Sequence, residues 1–287
     1  MLALVLLLAV TAVWGVTFVQ VKDAVAIYPL FAFLAVRFAV AGATLAPVAA
    51  TRLVGLGRGG LRAGVALGLL LAAGYALQTA GLQRTTVSAA GFVNGLYVVL
   101  TPVLALVLFR LRTGRGLWVG VLLATAGLAL LSGVSAGSPA GDLLVLGGAA
   151  AFALQIVLVE GWAPRYDAIA LTQVEMLAAL AAFLVVALAL RDLPAPHGLT
   201  VWAAILVTGV FASALAFLVQ MWAQRRTSAT RVALVFAMEP VFAGIFGYAL
   251  AGDRLGWSGW AGCAVILLGI AAAEPAAGRA LRRLVRR

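Results

Sequence analysis

Long apolar runs separated by short polar breaks fill the chain. Ten such runs lie at about 2–21, 30–50, 61–82, 87–109, 116–134, 141–160, 168–190, 199–222, 229–250 and 257–273. The breaks are rich in glycine, proline and arginine, as in 52–60 and 191–198. Because a helix of about 20 residues crosses the hydrocarbon core, the pattern predicts an all-α membrane protein with ten transmembrane helices. The runs do not alternate apolar with polar residues, as barrel strands would.

Composition and charge support a membrane location. Apolar residues make up 65% of the 287 residues and charged residues 10%, too few for the surface of a soluble protein. The net charge of +11 would suit nucleic acid, but the basic residues lie in the breaks and the tail. Fifteen lysine and arginine residues fall on one side of the predicted membrane and four on the other. The positive-inside rule therefore predicts an inner-membrane protein with both termini in the cytoplasm.

The two halves of the chain resemble each other at an offset of 138 residues. This offset aligns Trp14 with Phe152, Arg37 with Glu175, and Pro102 with Pro240. It predicts one repeat at 1–138, a second at 139–274, and a basic cytoplasmic tail at 275–287. Since each repeat holds five spans, an odd number, the second must enter the membrane inverted. Inverted repeats are typical of secondary transporters, whose substrate site lies near the midplane between the repeats.

Six of the ten spans place an aromatic and a polar residue three positions apart, on one helix face. These are Trp14 with Thr17, Tyr75 with Gln78, Asn94 with Tyr97 and then Thr101, Phe152 with Gln155, Phe217 with Gln220, and Phe236 with Glu239. Polar groups that face lipid are costly, so we expect the six faces to surround one central cavity and to contact the substrate. The alternative is that these groups only join neighbouring helices by hydrogen bonds.

Three ionisable residues, Arg37, Glu175 and Glu239, lie inside predicted spans and are functional candidates for that reason. Glu239 precedes Pro240, where a helix loses a hydrogen bond and bends, and it could bind a cation or couple transport to protons. Arg37 and Glu175 lie on the second and seventh spans, which lack the aromatic–polar pattern. We expect them to act in structure or gating, at different depths and without a direct ion pair.

Other chemistries find no support in the sequence. No ATP-binding motif is present, and the single histidine, His197, lies in a proline-rich loop. With one cysteine, Cys263, as well, we expect no metal site, cofactor or catalytic centre. The pairs Gly64–Gly68 and Gly116–Gly120 predict close helix packing. A channel and an intramembrane enzyme are the alternatives from other functional classes.

Several of these features together resemble the drug/metabolite transporter superfamily. They are Trp14-Gly15, Arg37, the stretch Ala90-Gly91-Phe92-Val93-Asn94-Gly95-Leu96-Tyr97, Thr101-Pro102, and Glu239-Pro240 followed by Gly252-Asp253-Arg254-Leu255. The order and spacing match the EamA-type repeats of that superfamily over nearly the whole chain, with Asp253 where the family usually has glutamate. The resemblance implies a ten-helix, basket-like bundle that works by alternating access.

Within the superfamily the chain is most similar to bacterial aromatic amino acid exporters of the YddG type. That similarity implies export of amino acids, aromatic and other neutral ones, and of related metabolites. An exporter of drugs, organic cations or nucleosides is the alternative. The expected partners are a small-molecule substrate and the lipid bilayer, with no nucleic acid, and the chain is expected to act as a monomer.

Overall fold

The computed structural model describes residues 2–111, 113–132, 138–250 and 256–273, and all regular structure in them is helical. The helices are α1 (Leu2–Ile27), α2 (Leu30–Leu53), α3 (Gly57–Leu82), α4 (Val87–Gly95), α5 (Tyr97–Phe109), α6 (Arg115–Ser132), α7 (Pro139–Trp162), α8 (Ala168–Ala189), α9 (Leu199–Gly209), α10 (Ala216–Gln224), α11 (Ala229–Phe236), α12 (Glu239–Leu250) and α13 (Trp257–Ala273). The predicted all-helical chain is confirmed for this part of the sequence.

Five helical stretches among the described residues are long and apolar enough to cross a membrane. They are Leu30–Leu82, which contains α2 and α3, Ala89–Phe109, Pro139–Arg165, Ala168–Ala189 and Leu199–Gln224. The bent pair Leu2–Thr17 and Gln20–Ile27 adds a sixth when it is counted as one span. The helices Arg115–Leu131 and Trp257–Ala273 are apolar but shorter.

Three of the predicted spans are interrupted rather than continuous. α4 and α5 meet at Leu96, whose N–H donates to the carbonyl of Val93 at 3.2 Å, one residue short of the α-helical bond. α11 and α12 are separated at residues 237–238, just before Pro240. Pro240 thus lies in the first turn of α12, where its missing N–H costs no helical bond. Between α9 and α10, residues Val210–Leu215 form a π-helical turn.

Close helix packing rests on glycine at several places. A Cβ atom added to Gly120 of α6 would lie 2.6 Å from the carbonyl oxygen of Gly269 of α13. One added to Gly64 of α3 would lie 2.7 Å from the Val174 side chain of α8. Gly116 is different, because a Cβ atom added there would have its nearest neighbour, the Ala272 carbonyl oxygen, at 3.6 Å. The predicted glycine packing therefore holds at Gly64 and Gly120, and Gly116 has room for a methyl group.

Side-chain caps fix where several helices begin. Asp167 precedes α8, and its Oδ1 accepts hydrogen bonds from the N–H groups of Ile169 and Ala170, both at 3.0 Å. Its Oδ2 accepts one from Arg52, in the last turn of α2, at 3.1 Å. Burial alone would raise the pKa of Asp167, but these hydrogen bonds and the Arg52 charge outweigh it and hold the pKa below its ordinary value.

Candidate functional site: a central aromatic and amide cavity

A cavity lies at the centre of the bundle. Its empty space measures about 760 Å³ when the solvent at the opening is included. The lining side chains are Trp14, Thr17, Val21, Arg37, Tyr75, Gln78, Thr79, Leu82, Asn94, Tyr97, Phe152, Gln155, Ile156, Phe217, Gln220, Phe236 and Glu239. Six predicted spans supply all of them except Arg37, which comes from α2.

The structure gathers almost all of the predicted contact residues at this cavity. Thr101 is the exception, since it is fully buried and its hydroxyl donates to the Tyr97 carbonyl one turn back at 2.7 Å. Thr101 is not among the lining residues, and its role as a contact residue stays a prediction. Sequence reasoning missed four lining residues, Val21, Thr79, Leu82 and Ile156. Each lies four positions after a predicted residue, so helical periodicity could have found them.

Aromatic rings from both halves of the chain form one side of the cavity. The ring centroid of Trp14 lies 4.7 Å from that of Phe236 and 5.9 Å from that of Phe217. Tyr75 lies 5.2 Å from Phe152 and 6.4 Å from Phe217, both edge-on. These contacts link the five rings into a continuous apolar surface that can pack against an organic group.

A chain of buried amides forms another part of the wall. Gln224 donates to the backbone carbonyl of Ile156 at 2.7 Å, and this carbonyl can only accept. The Gln224 oxygen is therefore free to accept from Gln220, at 2.9 Å. Gln220 donates its second amide hydrogen to Gln155 at 3.0 Å, and Gln155 donates to Glu175 at 2.7 Å. The fixed acceptor at Ile156 thus sets the orientation of all three amides.

This orientation leaves acceptor oxygens without partners. Both amide hydrogens of Gln220 are used, and its Oε1 is buried with no hydrogen bond within the described part of the chain. Oδ1 of Asn94 and Oε2 of Glu175 are likewise buried without a hydrogen bond among the described residues. Asn94 lines the cavity, whereas Glu175 is not among the lining residues. Buried oxygens without partners are rare in native proteins. Those of Asn94 and Gln220 are therefore candidates for hydrogen bonds from a ligand or from water.

The structure places Arg37 in the cavity wall, although the sequence predicted a structural or gating role for it rather than contact with the substrate. Its Nε donates to the Ser213 hydroxyl at 2.8 Å, and its Nη2 donates to the Tyr75 hydroxyl at 3.1 Å. The guanidinium carbon also lies 4.5 Å from the Tyr75 ring centroid. No ion pair within 4.0 Å joins Arg37 to Glu175, both of which the structure describes. Their roles in structure or gating stay predictions.

The π-helical turn positions two residues of this wall. Its Ser213 hydroxyl accepts from Arg37, and its Ala212 carbonyl accepts the indole N–H of Trp14 at 2.8 Å. Gly209, just before the turn, lies so close to α2 that an added Cβ would be 2.9 Å from the Arg37 carbonyl oxygen. π-turns are rare and frequent at functional sites. Sequence reasoning missed this one, since a single serine in the apolar run 210–219 was its only signal.

The other candidate residues lie elsewhere. Cys263 is buried in the packing around α13, and His197 is exposed in the loop before α9. Among the residues that the structure describes, no group of three or more His, Cys, Asp or Glu side chains could hold a metal ion. The motif residues at 252–255, Asp253 included, and the tail at 275–287 lie outside the described residues.

Comparison with known proteins identifies the family. Residues 1–133 and 139–273 each match the EamA-like transporter family. A transporter of uncharacterised function from Archaeoglobus fulgidus is 31% identical over 271 residues, covering 91% of this chain and 82% of the relative. A solved crystal structure superposes with a TM-score of 0.80 over 96% of this chain and 98% of that chain, at 20% identity, which shows a shared fold alone.

The apolar helices, the two family matches and the transporter relative lead to one conclusion. The chain belongs to the EamA-like transporter family and is a multi-pass membrane transporter rather than an enzyme.

Proposed function

We propose that the chain is a secondary carrier of the bacterial inner membrane that exports amino acids, aromatic and other neutral ones, through the central cavity. The observation that carries the proposal is the combination of a continuous aromatic surface with buried amide oxygens that lack partners. An aromatic side chain would pack on the rings of Trp14 and Phe236. The amides of Asn94 and Gln220 would hydrogen-bond the polar end of the substrate.

We further propose ten spans arranged as two inverted repeats, 1–138 and 139–274, with a cytoplasmic tail at 275–287. Helix packing supports this symmetry. Replacing each span by its counterpart in the repeat turns one contact between the two halves into another. Three contacts have such a counterpart: α3 with α7, α3 with α8, and α4–α5 with α7. The counterparts are α1 with α9–α10, α2 with α9 and the π-turn, and α1 with α11–α12. The remaining corresponding helices pack directly on each other, α2 on α8 and α6 on α13.

Glycine contacts between α6 and α13 support the same two-fold relation. After a small gap in the alignment, the offset between the repeats becomes 142 residues, so Gly120 corresponds to Gly262 and Gly127 to Gly269. An added Cβ at Gly120 would meet the Gly269 carbonyl at 2.6 Å, and one at Gly127 would meet the Gly262 carbonyl at 2.7 Å. The reverse contacts, from Gly269 to Gly120 and from Gly262 to Gly127, are as close, at 2.7 and 2.6 Å. This reciprocal pattern is the one that antiparallel helices related by a two-fold axis would give.

The cavity extends towards the side with few basic residues. It reaches Val21 and Leu82, near the ends of α1 and α3, where Lys22 and Arg84 are exposed. Towards the opposite side, Leu7, Val10 and Val232 belong to a buried apolar cluster that fills the space between α1 and α11. With the termini in the cytoplasm, this state faces outwards. Export by alternating access would need a second state in which that cluster separates.

Substitution of Gln78 tests the substrate role of the cavity. Gln78 lines the cavity and makes no hydrogen bond within the described structure, so Gln78→Leu should leave folding intact. In proteoliposome counterflow with radiolabelled phenylalanine, we expect this variant to lose at least about tenfold in rate, the value of one or two hydrogen bonds. Gln83→Leu, at the exposed end of the same helix, is the matched control. A normal rate in Gln78→Leu would contradict the proposal.

A carrier for organic cations or nucleosides is the second candidate, and the position of Glu239 in the cavity wall favours the cation. Counterflow with a panel of amino acids, organic cations and nucleosides separates these substrates. If a cation competes with labelled phenylalanine better than any amino acid, and Glu239→Gln removes that competition, the cation carrier is correct. Running the panel at two pH values distinguishes proton-coupled transport from facilitated diffusion.

A further inference from the structure

Arg37 carries a buried charge without an acidic partner. Its side chain is 3% exposed, and the guanidinium group stays protonated in proteins. Within the described part of the chain, the ion pair between Arg52 and Asp167 is the one found within 4.0 Å, so no described carboxylate oxygen lies that close to the Arg37 nitrogens. A buried charge that is neither paired nor fully hydrogen-bonded is costly, which makes this residue exceptional in the bundle.

The hydrogen bonds of Arg37 leave part of the guanidinium unused. Of its five N–H donors, one on Nε and one on Nη2 have acceptors, the hydroxyls of Ser213 and Tyr75. Nη1 has none among the described residues. The π-turn and α3 thus hold the group from one side while it lines the cavity with donors to spare. This fork of donors matches the two oxygens of a carboxylate.

Glu175, the counterpart of Arg37 in the repeat, does not supply the missing acidic partner. Glu175 is fully buried and has an oxygen, Oε2, without a partner, yet it makes no contact with Arg37 within hydrogen-bond distance. Glu175 is instead bound by Gln155 at the end of the amide chain. The two side chains therefore remain separate, and the free donors of Arg37 lie at the cavity.

We propose that Arg37 binds the carboxylate of the transported molecule, so that the carrier requires an α-carboxylate and selects amino acids over amines. This inference rests on the proposed function and names the group that the cavity recognises. The free oxygen of Gln220 accepts from the substrate ammonium group, since both of its amide hydrogens are already used. The two ends of the zwitterion then bind opposite kinds of group, a donor fork and an acceptor oxygen.

Substrate analogues test the inference on the wild-type protein. In counterflow with labelled phenylalanine, unlabelled phenylalanine should compete at least about tenfold better than phenylalaninamide or phenylethylamine, which lack a carboxylate. A hydrogen bond between charged groups supports a factor of about 10 to 100. Equal competition by phenylalaninamide would overturn the inference while leaving amino acid transport in place. Absence of any phenylalanine transport would instead defeat the proposed function.

Substitution of Arg37 tests the same point from the protein side. In direct binding to the purified protein, Arg37→Gln should weaken phenylalanine at least about tenfold and leave phenylethylamine within about twofold of wild type. Arg52→Gln, which removes an exposed arginine outside the cavity, is the matched control and should change neither. A merely structural role would weaken both ligands together, and that result would overturn the inference. If Arg37→Gln does not fold, the wild-type analogue series decides alone.

Discussion

The contact between α6 and α13 and the wall of the central cavity are opposite uses of the same helical scaffold. At the contact, glycine removes side chains, so that the backbone of one helix touches the backbone of the other. At the cavity, rings and amides hold the helices apart and leave space between them. Small residues favour close approach in a membrane, where no hydrophobic effect drives helices together.

The comparison shows where specificity and rigidity come from in this chain. At the α6–α13 contact, the glycines let backbone atoms of the two helices meet, so the fit there depends on shape. The cavity wall depends on oriented hydrogen bonds that begin at a single carbonyl, Ile156, and end at Glu175. A change of shape should therefore damage the first region, and a change of hydrogen bonding should damage the second.

The largest effect is expected from a methyl group at the glycine contact. Gly127→Ala should lower the free energy of unfolding by about 3 kcal/mol, the upper end of the cost of overpacking, because the added Cβ would meet backbone atoms of Gly262 and Ile266. Gly116→Ala on the same helix has its nearest neighbour at 3.6 Å and should be tolerated. Thermal unfolding in detergent measures both. Equal thermal unfolding midpoints for the two variants would show that the close backbone contact at Gly127 is no more sensitive to an added methyl group than the open position at Gly116.

Much of this fold could be predicted because lipid imposes a simple rule on sequence. Backbone groups must be satisfied within each helix, so apolar runs translate directly into helices, and most helix ends lie within a few residues of the predicted bounds. The interruptions at Leu96 and in the π-turn were not predicted. Neither contains proline, and both depend on how neighbouring helices pack, which a single run of sequence does not record.

The candidate site was predictable where it follows helix periodicity and unpredictable where it follows packing. The aromatic–polar pattern led to residues such as Gln78 and Phe236, which the cavity does contain. Arg37 was expected to have a structural or gating role rather than to contact the substrate, because its own helix carries no such pattern. Its place in the wall depends on Ser213 and Tyr75, which come from other helices. Contacts between distant segments are what periodicity within one helix leaves out.

A second prediction concerns a substitution that breaks the chain of hydrogen-bonded amides. Gln224→Leu removes the donor to the Ile156 carbonyl and the acceptor for Gln220, so the Gln220 amide can rotate. We expect the free energy of unfolding to fall by about 2 kcal/mol, the cost of leaving buried polar groups unsatisfied. Substrate affinity should fall as well, because Gln220 loses its fixed orientation. Thermal unfolding with and without phenylalanine measures both effects.

Gln224→Glu is the informative companion to this variant. It keeps an acceptor for Gln220 at nearly the same position but no longer offers an amide donor to Ile156. It should therefore lose stability and retain more of the ligand-induced stabilisation than Gln224→Leu does. If both variants bind phenylalanine as the wild type does, the amide chain has no part in orienting the site.

The smallest effect is expected at the N-terminus of α8, outside both regions. A substitution there measures how much a polar contact contributes to stability near water. Asp167→Asn keeps an oxygen that can cap α8 but loses the charge that pairs with Arg52. Since both side chains are partly exposed, the free energy of unfolding at pH 7 should fall by less than about 1 kcal/mol.

The pH dependence of that difference has a definite sign. The pKa of Asp167 is lower in the folded protein than its ordinary value, because hydrogen bonds and the Arg52 charge outweigh burial. The carboxylate therefore stabilises the fold above the unfolded pKa of about 3.9, and this contribution is lost as the pH falls through the folded pKa. Wild type and Asp167→Asn should differ in unfolding midpoint at pH 7 and converge below about pH 4. A constant difference over that range would mean that Asp167 acts through capping geometry and not through its charge.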